Sequence, residues 1–180
     1  MCHGSCLLFI ISKLYQDEIE GKRVIEVGSR YINGSARELI CAMKPELYIG
    51  IDIEKGTFVD IMLPVHRAVE YFGEESFDLV VCTEVIEHIL DWRAAISNMK
   101  RLLKSGGVIA ITTRSIPFPK HDYPDDFWRY NLEDMERIFS DFEIGCLESD
   151  PQAPGVFLKA IKPQNFIECD LSNIELDAVT

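Results

Sequence analysis

The sequence has little positive charge. It contains 18 lysine and arginine residues against 30 aspartate and glutamate residues, so its net charge is −12 over 180 residues. A chain this acidic repels a phosphate polyanion on average, which disfavours broad nucleic-acid binding without excluding a local basic patch. We therefore do not expect nucleic acid as a partner.

Long apolar runs are also missing. The longest run near the N-terminus covers residues 7–11, which is too short for a membrane span or for the core of a signal peptide. We therefore expect a cytoplasmic protein that makes no contact with a membrane.

The cysteines do not form a disulfide or zinc framework. They are scattered, and two of them lie in apolar runs typical of strands, as expected for reduced thiols in a cytosolic protein. Cys2 and Cys6 flank His3, but no second cysteine or histidine pair at zinc spacing accompanies them, so we predict no metal site there. The six cysteines are Cys2, Cys6, Cys41, Cys82, Cys146 and Cys169.

Internal repeats and low-complexity linkers are absent as well, which favours a single domain. A chain of 180 residues with 47% hydrophobic and 27% charged residues has the composition of a globular domain that buries a full core. We predict one domain over residues 1–162, with an N-terminal helix within residues 1–22. Residues 163–180 have four acids and no base, which predicts a solvated tail.

Apolar spacing predicts strands that alternate with helices. Ser35 and Glu38 form a capping box that should begin one helix, and the turn at 105–107 should end the helix that begins at Asp91. The alternation implies an α/β fold with a doubly wound, mostly parallel sheet, and two closing strands imply an antiparallel C-terminal edge. The predicted strands cover 23–27, 47–52, 57–61, 77–82, 108–113, 142–148 and 155–162, and the other predicted helices cover 5–20, 35–43, 65–72 and 132–139.

Glycines are scarce in the turn after the first strand. Gly28 is present, but Arg30 and Asn33 occupy the positions where the dinucleotide fingerprint needs two more glycines, which disfavours a dehydrogenase. Glu26 lies inside the strand, where it would repel a pyrophosphate and favour a ligand with a cation near the turn. Asp52 ends the second strand 24 residues after Gly28, where a carboxylate would face ribose hydroxyls.

Four segments in register extend this pattern to a known family. The glycine turn at 26–29, Asp52, the segment 82–88 and the turn at 104–107 make the chain resemble class I S-adenosylmethionine-dependent methyltransferases over about residues 24–162. It is most similar to the small single-domain type that includes ubiquinone-biosynthesis enzymes. The resemblance implies a Rossmann-like methyltransferase fold, S-adenosylmethionine as cofactor, and a small molecule or biosynthetic intermediate as methyl acceptor.

The resemblance also implies a cofactor-binding role for nine residues. Glu26 would face the amino group of the cofactor, Asp52 would bind the ribose hydroxyls, and Ile53 would lie on the adenine. Asp60 is the nearest acid to the position at which relatives contact the adenine amino group. The full set is Glu26, Gly28, Ser29, Gly34, Asp52, Ile53, Asp60, Thr83 and Glu84.

The acceptor side is predicted from histidines and from an aromatic, charged loop. His88 and His121 are the candidate catalytic bases, which are needed only if the acceptor is a poor nucleophile such as a hydroxyl. The loop over 118–130 follows strand five, so it should overhang the pocket and bind the acceptor. Its predicted acceptor-binding residues are Asp122, Tyr123, Trp128 and Arg129, of which Trp128 should also pack on the sheet.

Two alternatives stay open at this point. Glu84, Glu87, His88 and His121 are similar to the metal-binding set of small-RNA 3′-terminal 2′-O-methyltransferases, in which a divalent metal activates a ribose hydroxyl. The acidic charge counts against RNA as the acceptor. The other alternative is a non-catalytic subunit that binds S-adenosylmethionine.

Overall fold

The protein contains a seven-stranded sheet. Its structure is a computed structural model that describes residues 3–121 and 125–179. The strand order is β3-β2-β1-β4-β5-β8-β7, and a separate antiparallel pair joins β6 to β9. Strands β1 to β5 pair in parallel, whereas β8 runs antiparallel to both of its neighbours. The strands are β1 Arg23–Val27, β2 Leu47–Asp52, β3 Ile61–Met62, β4 Phe77–Thr83, β5 Leu103–Arg114, β6 Trp128–Arg129, β7 Glu143–Ser149, β8 Gly155–Ile161 and β9 Asp177–Ala178.

Helices cover both faces of this sheet. One buried cluster packs β1, β4 and β5 against α4, α5 and the turn before α3, and includes Trp92, Met99 and Met135. A second cluster on the opposite face includes Phe9 and Ile40. Burial on both faces explains why the β4 segment reads as a nearly continuous apolar run. The helices are α1 Gly4–Lys13, α2 Arg37–Ala42, α3 Ala68–Phe72, α4 Trp92–Leu102 and α5 Leu132–Ile138.

The predicted fold class is confirmed. The sheet is mostly parallel and doubly wound, and β7 forms the C-terminal edge because β8 returns between it and β5. A hairpin makes this return possible, since antiparallel strands need only a short connection.

Several predicted boundaries were wrong. The first helix ends at Lys13 and is followed by a single turn at Gln16–Glu18 instead of running to residue 20. Helix α4 passes directly into β5, because Leu103 already pairs with Phe77 and the residues up to Val108 form an irregular insertion in the ladder. The third strand is Ile61–Met62 and not 57–61.

The predicted capping box at the start of the second helix was also wrong. Ala36 is the N-cap residue, and the hydroxyl of Ser35 accepts a hydrogen bond from the Arg37 N–H at 3.0 Å. The serine therefore closes a short turn before the helix.

The C-terminal segment is not solvated throughout, which corrects the prediction for residues 163–180. Leu171 and Ile174 are buried in the same cluster as α4 and α5. The guanidinium of Arg93 donates to the carbonyl oxygens of both residues. Apolar residues spaced along the segment are therefore buried, whereas three of its four acids, Asp170, Glu175 and Asp177, are exposed.

Among the described residues, no helix is both long and apolar enough to cross a membrane.

Candidate active site

A cleft opens at the carboxyl ends of β1, β2 and β4. In open α/β sheets, ligands bind in this place, where the strand order reverses. Here the reversal lies between β1 and β4. The residues that line the cleft are Glu26, Val27, Gly28, Ser29, Arg30, Ile32, Gly34, Ile51, Asp52, Ile53, Glu54, Leu63, Val65, Thr83, Glu84, Val85, His88 and Ile89.

The first turn of this cleft requires glycine. Gly28 has a φ angle of +72°, and a Cβ atom on it would come within 2.1 Å of Cγ2 of Val85. The N–H groups of Gly28 and Ser29 both donate to the carbonyl oxygen of Ile51, at 2.9 and 3.1 Å. The turn is therefore packed tightly between β2 and the loop that follows β4.

Glu26 brings a buried carboxyl group to this turn. Its Oε2 atom accepts a hydrogen bond of 2.9 Å from the hydroxyl of Tyr48. Burial raises the pKa of Glu26 to about 7, against the opposing effects of the Tyr48 hydroxyl, the Ala36 N–H and the charge of Arg37. A ligand that carries an ammonium group would favour the ionised form of this side chain.

Asp52 presents a fixed carboxylate at the end of β2. The backbone N–H of Arg30 donates to Oδ2 at 3.1 Å, and that of Glu54 donates to Oδ1 at 3.0 Å. Each carboxylate oxygen can accept a further hydrogen bond, so the group can also bind the hydroxyls of a ligand. Ile53 follows with 59% of its surface exposed, next to this carboxylate.

These residues fit an adenosine-bearing cation. The acidic side chains of Glu26 and Asp52 line the cleft, and so do apolar side chains such as Leu63 and Val65. The buried hydroxyl of Ser29 has no hydrogen-bond partner within the described residues, and its side chain packs against Gly50 of β2.

Asp60 lies outside the cleft lining, which corrects its predicted contact with the cofactor. Its two carboxylate oxygens accept hydrogen bonds from the Arg37 guanidinium at 2.8 and 3.2 Å. Oδ2 also accepts from the N–H of Gly50 at 2.7 Å. These contacts make Asp60 a structural group that ties α2 to β2.

Thr83 and Glu84 line the cleft as predicted, but the carboxylate of Glu84 is held by other protein groups. It contacts Nε of Arg114 and, at 3.4 Å, Sγ of Cys6. Burial raises the pKa of Glu84 well above its usual range, with further contributions from Glu87 and Cys6 and an opposing one from Arg114. Sequence reasoning missed Arg114, because no local pattern connects it to Glu84.

The two predicted bases lie next to each other. The rings of His88 and His121 are 4.9 Å apart between centroids, and His88 also lines the cleft. Nδ1 of His88 contacts the carbonyl oxygen of Asp125, which can only accept, so this nitrogen carries the proton. Burial lowers the pKa of His121, which favours its neutral form.

A buried carboxylate completes this group. Glu87 is fully buried, and its Oε2 accepts a hydrogen bond of 2.9 Å from Thr113. Its Oε1 lies 3.8 Å from Nε2 of His88. Potential ligand atoms of Glu87, His88 and His121 all lie within 4.8 Å of one another, whereas Glu84 belongs to a different cluster.

Arg129, one of the predicted acceptor-binding residues, is occupied by contacts within the protein. All five N–H donors of Arg129 are used inside the protein, by Asp126 and by the carbonyl oxygens of Phe118, Pro119 and Trp128. This guanidinium therefore stabilises the loop, which corrects its predicted contact with an acceptor.

Trp128 packs against the protein, as predicted, while its contact with an acceptor stays a prediction. Its Nε1 atom donates to the carbonyl oxygens of Ile89 and Leu90 at 3.1 and 3.2 Å, so the indole is fixed beside the cleft. Asp122 and Tyr123 lie outside the described residues.

The fold is the Rossmann-like fold of methyltransferases. A family model described as a methyltransferase domain matches residues 9–145, and the chain belongs to that family. Enzymes of this family use S-adenosylmethionine as the methyl donor. No curated protein matches the chain.

Solved structures show the same fold at low identity. A 1,6-didemethyltoxoflavin N1-methyltransferase of Burkholderia thailandensis, with its acceptor and S-adenosylhomocysteine bound, has a TM-score of 0.71 and 12% identity over 88% of this chain and 78% of that one. A putative methyltransferase of Listeria monocytogenes has a TM-score of 0.69 and 10% identity over 88% and 96%. The magnesium protoporphyrin IX methyltransferase of Synechocystis, with S-adenosylmethionine bound, has a TM-score of 0.63 and 15% identity over 88% and 76%.

Proposed function

We propose that this protein transfers a methyl group from S-adenosylmethionine to a small-molecule acceptor. The observation that carries the proposal is that Glu26, Asp52 and the Gly28 turn line one cleft. Two of the structural neighbours are methyltransferases of small molecules, which supports an acceptor of that class. The acidic net charge agrees with such an acceptor.

Each of three cleft residues would bind a different part of the cofactor. Glu26 would bind its ammonium group, Asp52 its ribose hydroxyls, and Ile53 its adenine. When bound, the cofactor supplies an activated methyl group on a sulfonium. Most of the protein's contribution is then to orient the acceptor and exclude water.

His88 is the group best placed to accept a proton from the acceptor. It lines the cleft, and the Asp125 carbonyl fixes the proton on Nδ1, which leaves Nε2 as the basic atom. Nε2 lies 3.8 Å from Oε1 of Glu87. A base here matters for a hydroxyl acceptor, because a hydroxyl attacks poorly until its proton is removed.

Calorimetric titration tests the cofactor assignment. We expect S-adenosylhomocysteine to bind and NAD⁺ not to bind. Asp52→Ala should weaken binding by at least about 10-fold, since it removes a charge-assisted contact worth roughly 1.5–3 kcal/mol. Glu70→Ala is the matched control, because that carboxylate is exposed on α3 with Arg67 as its partner. Failure of the wild-type protein to bind S-adenosylhomocysteine would refute the proposal.

A metal-dependent RNA methyltransferase is the second candidate, favoured by the convergence of Glu87, His88 and His121. Labelled S-adenosylmethionine should be tested with a panel of small hydroxyl and amine acceptors and with short RNA 3′ ends, each with and without Mn²⁺. Transfer to RNA that requires Mn²⁺ would replace the main proposal. Binding without transfer to any acceptor would indicate a non-catalytic subunit.

A further inference from the structure

Arg114, the last residue of β5, joins four separate parts of the protein. It is 4% exposed, and its guanidinium donates to Oδ2 of Asp150 at 3.3 Å and to Nδ1 of His3 at 2.8 Å. The guanidinium also lies over the ring of Phe118, 4.3 Å from its centroid. Its third nitrogen, Nε, contacts the carboxylate of Glu84.

The backbone of Glu84 adopts a conformation that contacts with other residues must stabilise. Its φ angle is +57°, a left-handed conformation that is strained for a residue other than glycine. Strain of this kind persists only where the surrounding contacts enforce it. The backbone N–H of Glu84 donates to the Thr112 carbonyl at 2.8 Å, and the side chain is held by Arg114 and Cys6.

The conformation of Glu84 matters because it forms part of the cofactor cleft. Thr83, Glu84 and Val85 line it in succession, and Val85 also packs against the Gly28 turn. A change in the backbone at Glu84 therefore moves the wall that faces the first turn.

We propose that Arg114 is a positioning residue for the cofactor site, which acts by holding the carboxylate of Glu84. The inference rests on the proposed function, because it assumes that the cleft binds the cofactor. Arg114 is not among the residues that line the cleft, so its effect on the cofactor would be indirect. Through His3 and Asp150, the same guanidinium also ties the N-terminal segment and the β7–β8 hairpin to this wall.

The same contacts argue against a metal in this cluster. His3, Cys6 and Glu84 have potential ligand atoms within 4.8 Å of one another. However, the guanidinium of Arg114 already supplies a cation to both His3 and Glu84. A divalent ion would have to displace it and leave a buried charge without a partner, which is strongly unfavourable.

A double-mutant cycle on S-adenosylhomocysteine affinity tests the proposal. We expect Arg114→Gln to raise the Kd by about 10-fold, within the range of coupling energies for contacting residues. In the Glu84→Gln background the same change should raise the Kd by less than about 2-fold, because the partner through which Arg114 acts is already altered. Arg114→Lys should give an intermediate loss, since an ammonium keeps the charge but not the planar set of donors.

Lys100→Gln is the matched control for loss of a buried ion pair. Lys100 is fully buried and binds both carboxylate oxygens of Asp141, at 2.7 and 2.8 Å, and neither residue lines the cleft. This variant should lose stability and keep the wild-type Kd. Thermal unfolding of every variant, recorded beside the titrations, separates folding from binding.

The outcomes distinguish the two proposals. If the wild-type protein does not bind S-adenosylhomocysteine, the proposed function fails. If the wild type binds and folded Arg114→Gln binds equally well, or loses the same affinity in both backgrounds, the role of Arg114 is refuted. If Arg114→Gln does not fold, the same cycle with Arg114→Lys decides between these results.

Discussion

At the residue scale, the acidic group in β1 is the most informative feature of the site. Glu26 is 2% exposed, and its position inside a strand next to Gly28 is visible in the sequence. Its elevated pKa is not visible there, because it results from burial, against the opposing effects of Tyr48 and Arg37 from other segments. A carboxyl group that titrates near neutrality makes the affinity for a cationic ligand depend on pH.

The affinity for S-adenosylhomocysteine should fall as the pH is lowered from 8 to 6. In the folded protein without ligand, the pKa of Glu26 is about 7, whereas the ordinary pKa of a glutamate side chain is 4.5. Glu26 therefore carries a proton below about pH 7. An ammonium ligand favours the ionised form, so binding below pH 7 must release this proton and loses up to about 10-fold per pH unit. Titration calorimetry across this range measures the effect.

The matched variant is Glu26→Gln, which cannot titrate. It should bind more weakly at pH 8 and show a flatter pH profile. An unchanged slope in this variant would assign the pH dependence to another group. Because the folded pKa is raised, this residue's contribution to the free energy of unfolding also falls as the pH rises from about 4.5 to about 7.

Replacement of Gly28 by alanine should damage both stability and binding. A left-handed φ costs an ordinary residue about 1–2 kcal/mol, and the contact with Val85 at 2.1 Å adds about 1–3 kcal/mol of overpacking. Gly21→Ala separates these terms, since Gly21 has a φ of +67° but nothing within 4 Å of its Cβ position. Chemical denaturation should show the larger loss for Gly28→Ala, and equal losses would contradict the proposed close packing.

At the element scale, local signals located most strands and helices, and they failed where pairing partners are distant. The β4 strand could be predicted from its continuous apolar run. Asp91 caps α4, since its carboxylate accepts a hydrogen bond of 3.2 Å from the N–H of Ala94. By contrast, β9 forms only because the distant β6 is available to pair with it. The composition of the C-terminal segment gave no sign of this pairing.

The C-terminal segment should contribute measurably to stability. Ile174 is 3% exposed, so Ile174→Ala should lower the free energy of unfolding by about 2–4 kcal/mol through lost burial and the cavity that remains. Ile167 is 84% exposed, and Ile167→Ala should change it by less than about 0.5 kcal/mol. Denaturant titration compares the two, and similar values would show that the segment does not pack as described.

At the scale of the whole molecule, one sheet with two buried faces supports the cleft. The cleft walls come from β1, β2 and β4 and from the segments that follow them, so a ligand there bridges parts of the chain that are distant in sequence. Binding should therefore stabilise the folded protein as a unit.

S-adenosylhomocysteine should raise the melting temperature of the wild-type protein. At 100 times its Kd, a ligand of the folded state adds about 2.7 kcal/mol. For a chain of 180 residues this corresponds to roughly 5–11 °C. Differential scanning calorimetry with adenosine as the control should show a smaller shift for adenosine, which lacks the ammonium group that Glu26 would bind.

The sequence by itself determined the order along the chain of the strands in the main sheet and the first part of the site. Periodicity, caps and glycines act over a few residues, so β1, the Gly28 turn and Asp52 at the end of β2 could be located without a structure. Only the tertiary structure decided how charged side chains pair. In the folded protein, Asp60 forms an ion pair with Arg37, Arg129 with Asp126, and Glu84 with Arg114. Two of these three pairs join residues more than twenty positions apart, and for all three the choice between a partner and a ligand depends on burial, which no local pattern encodes.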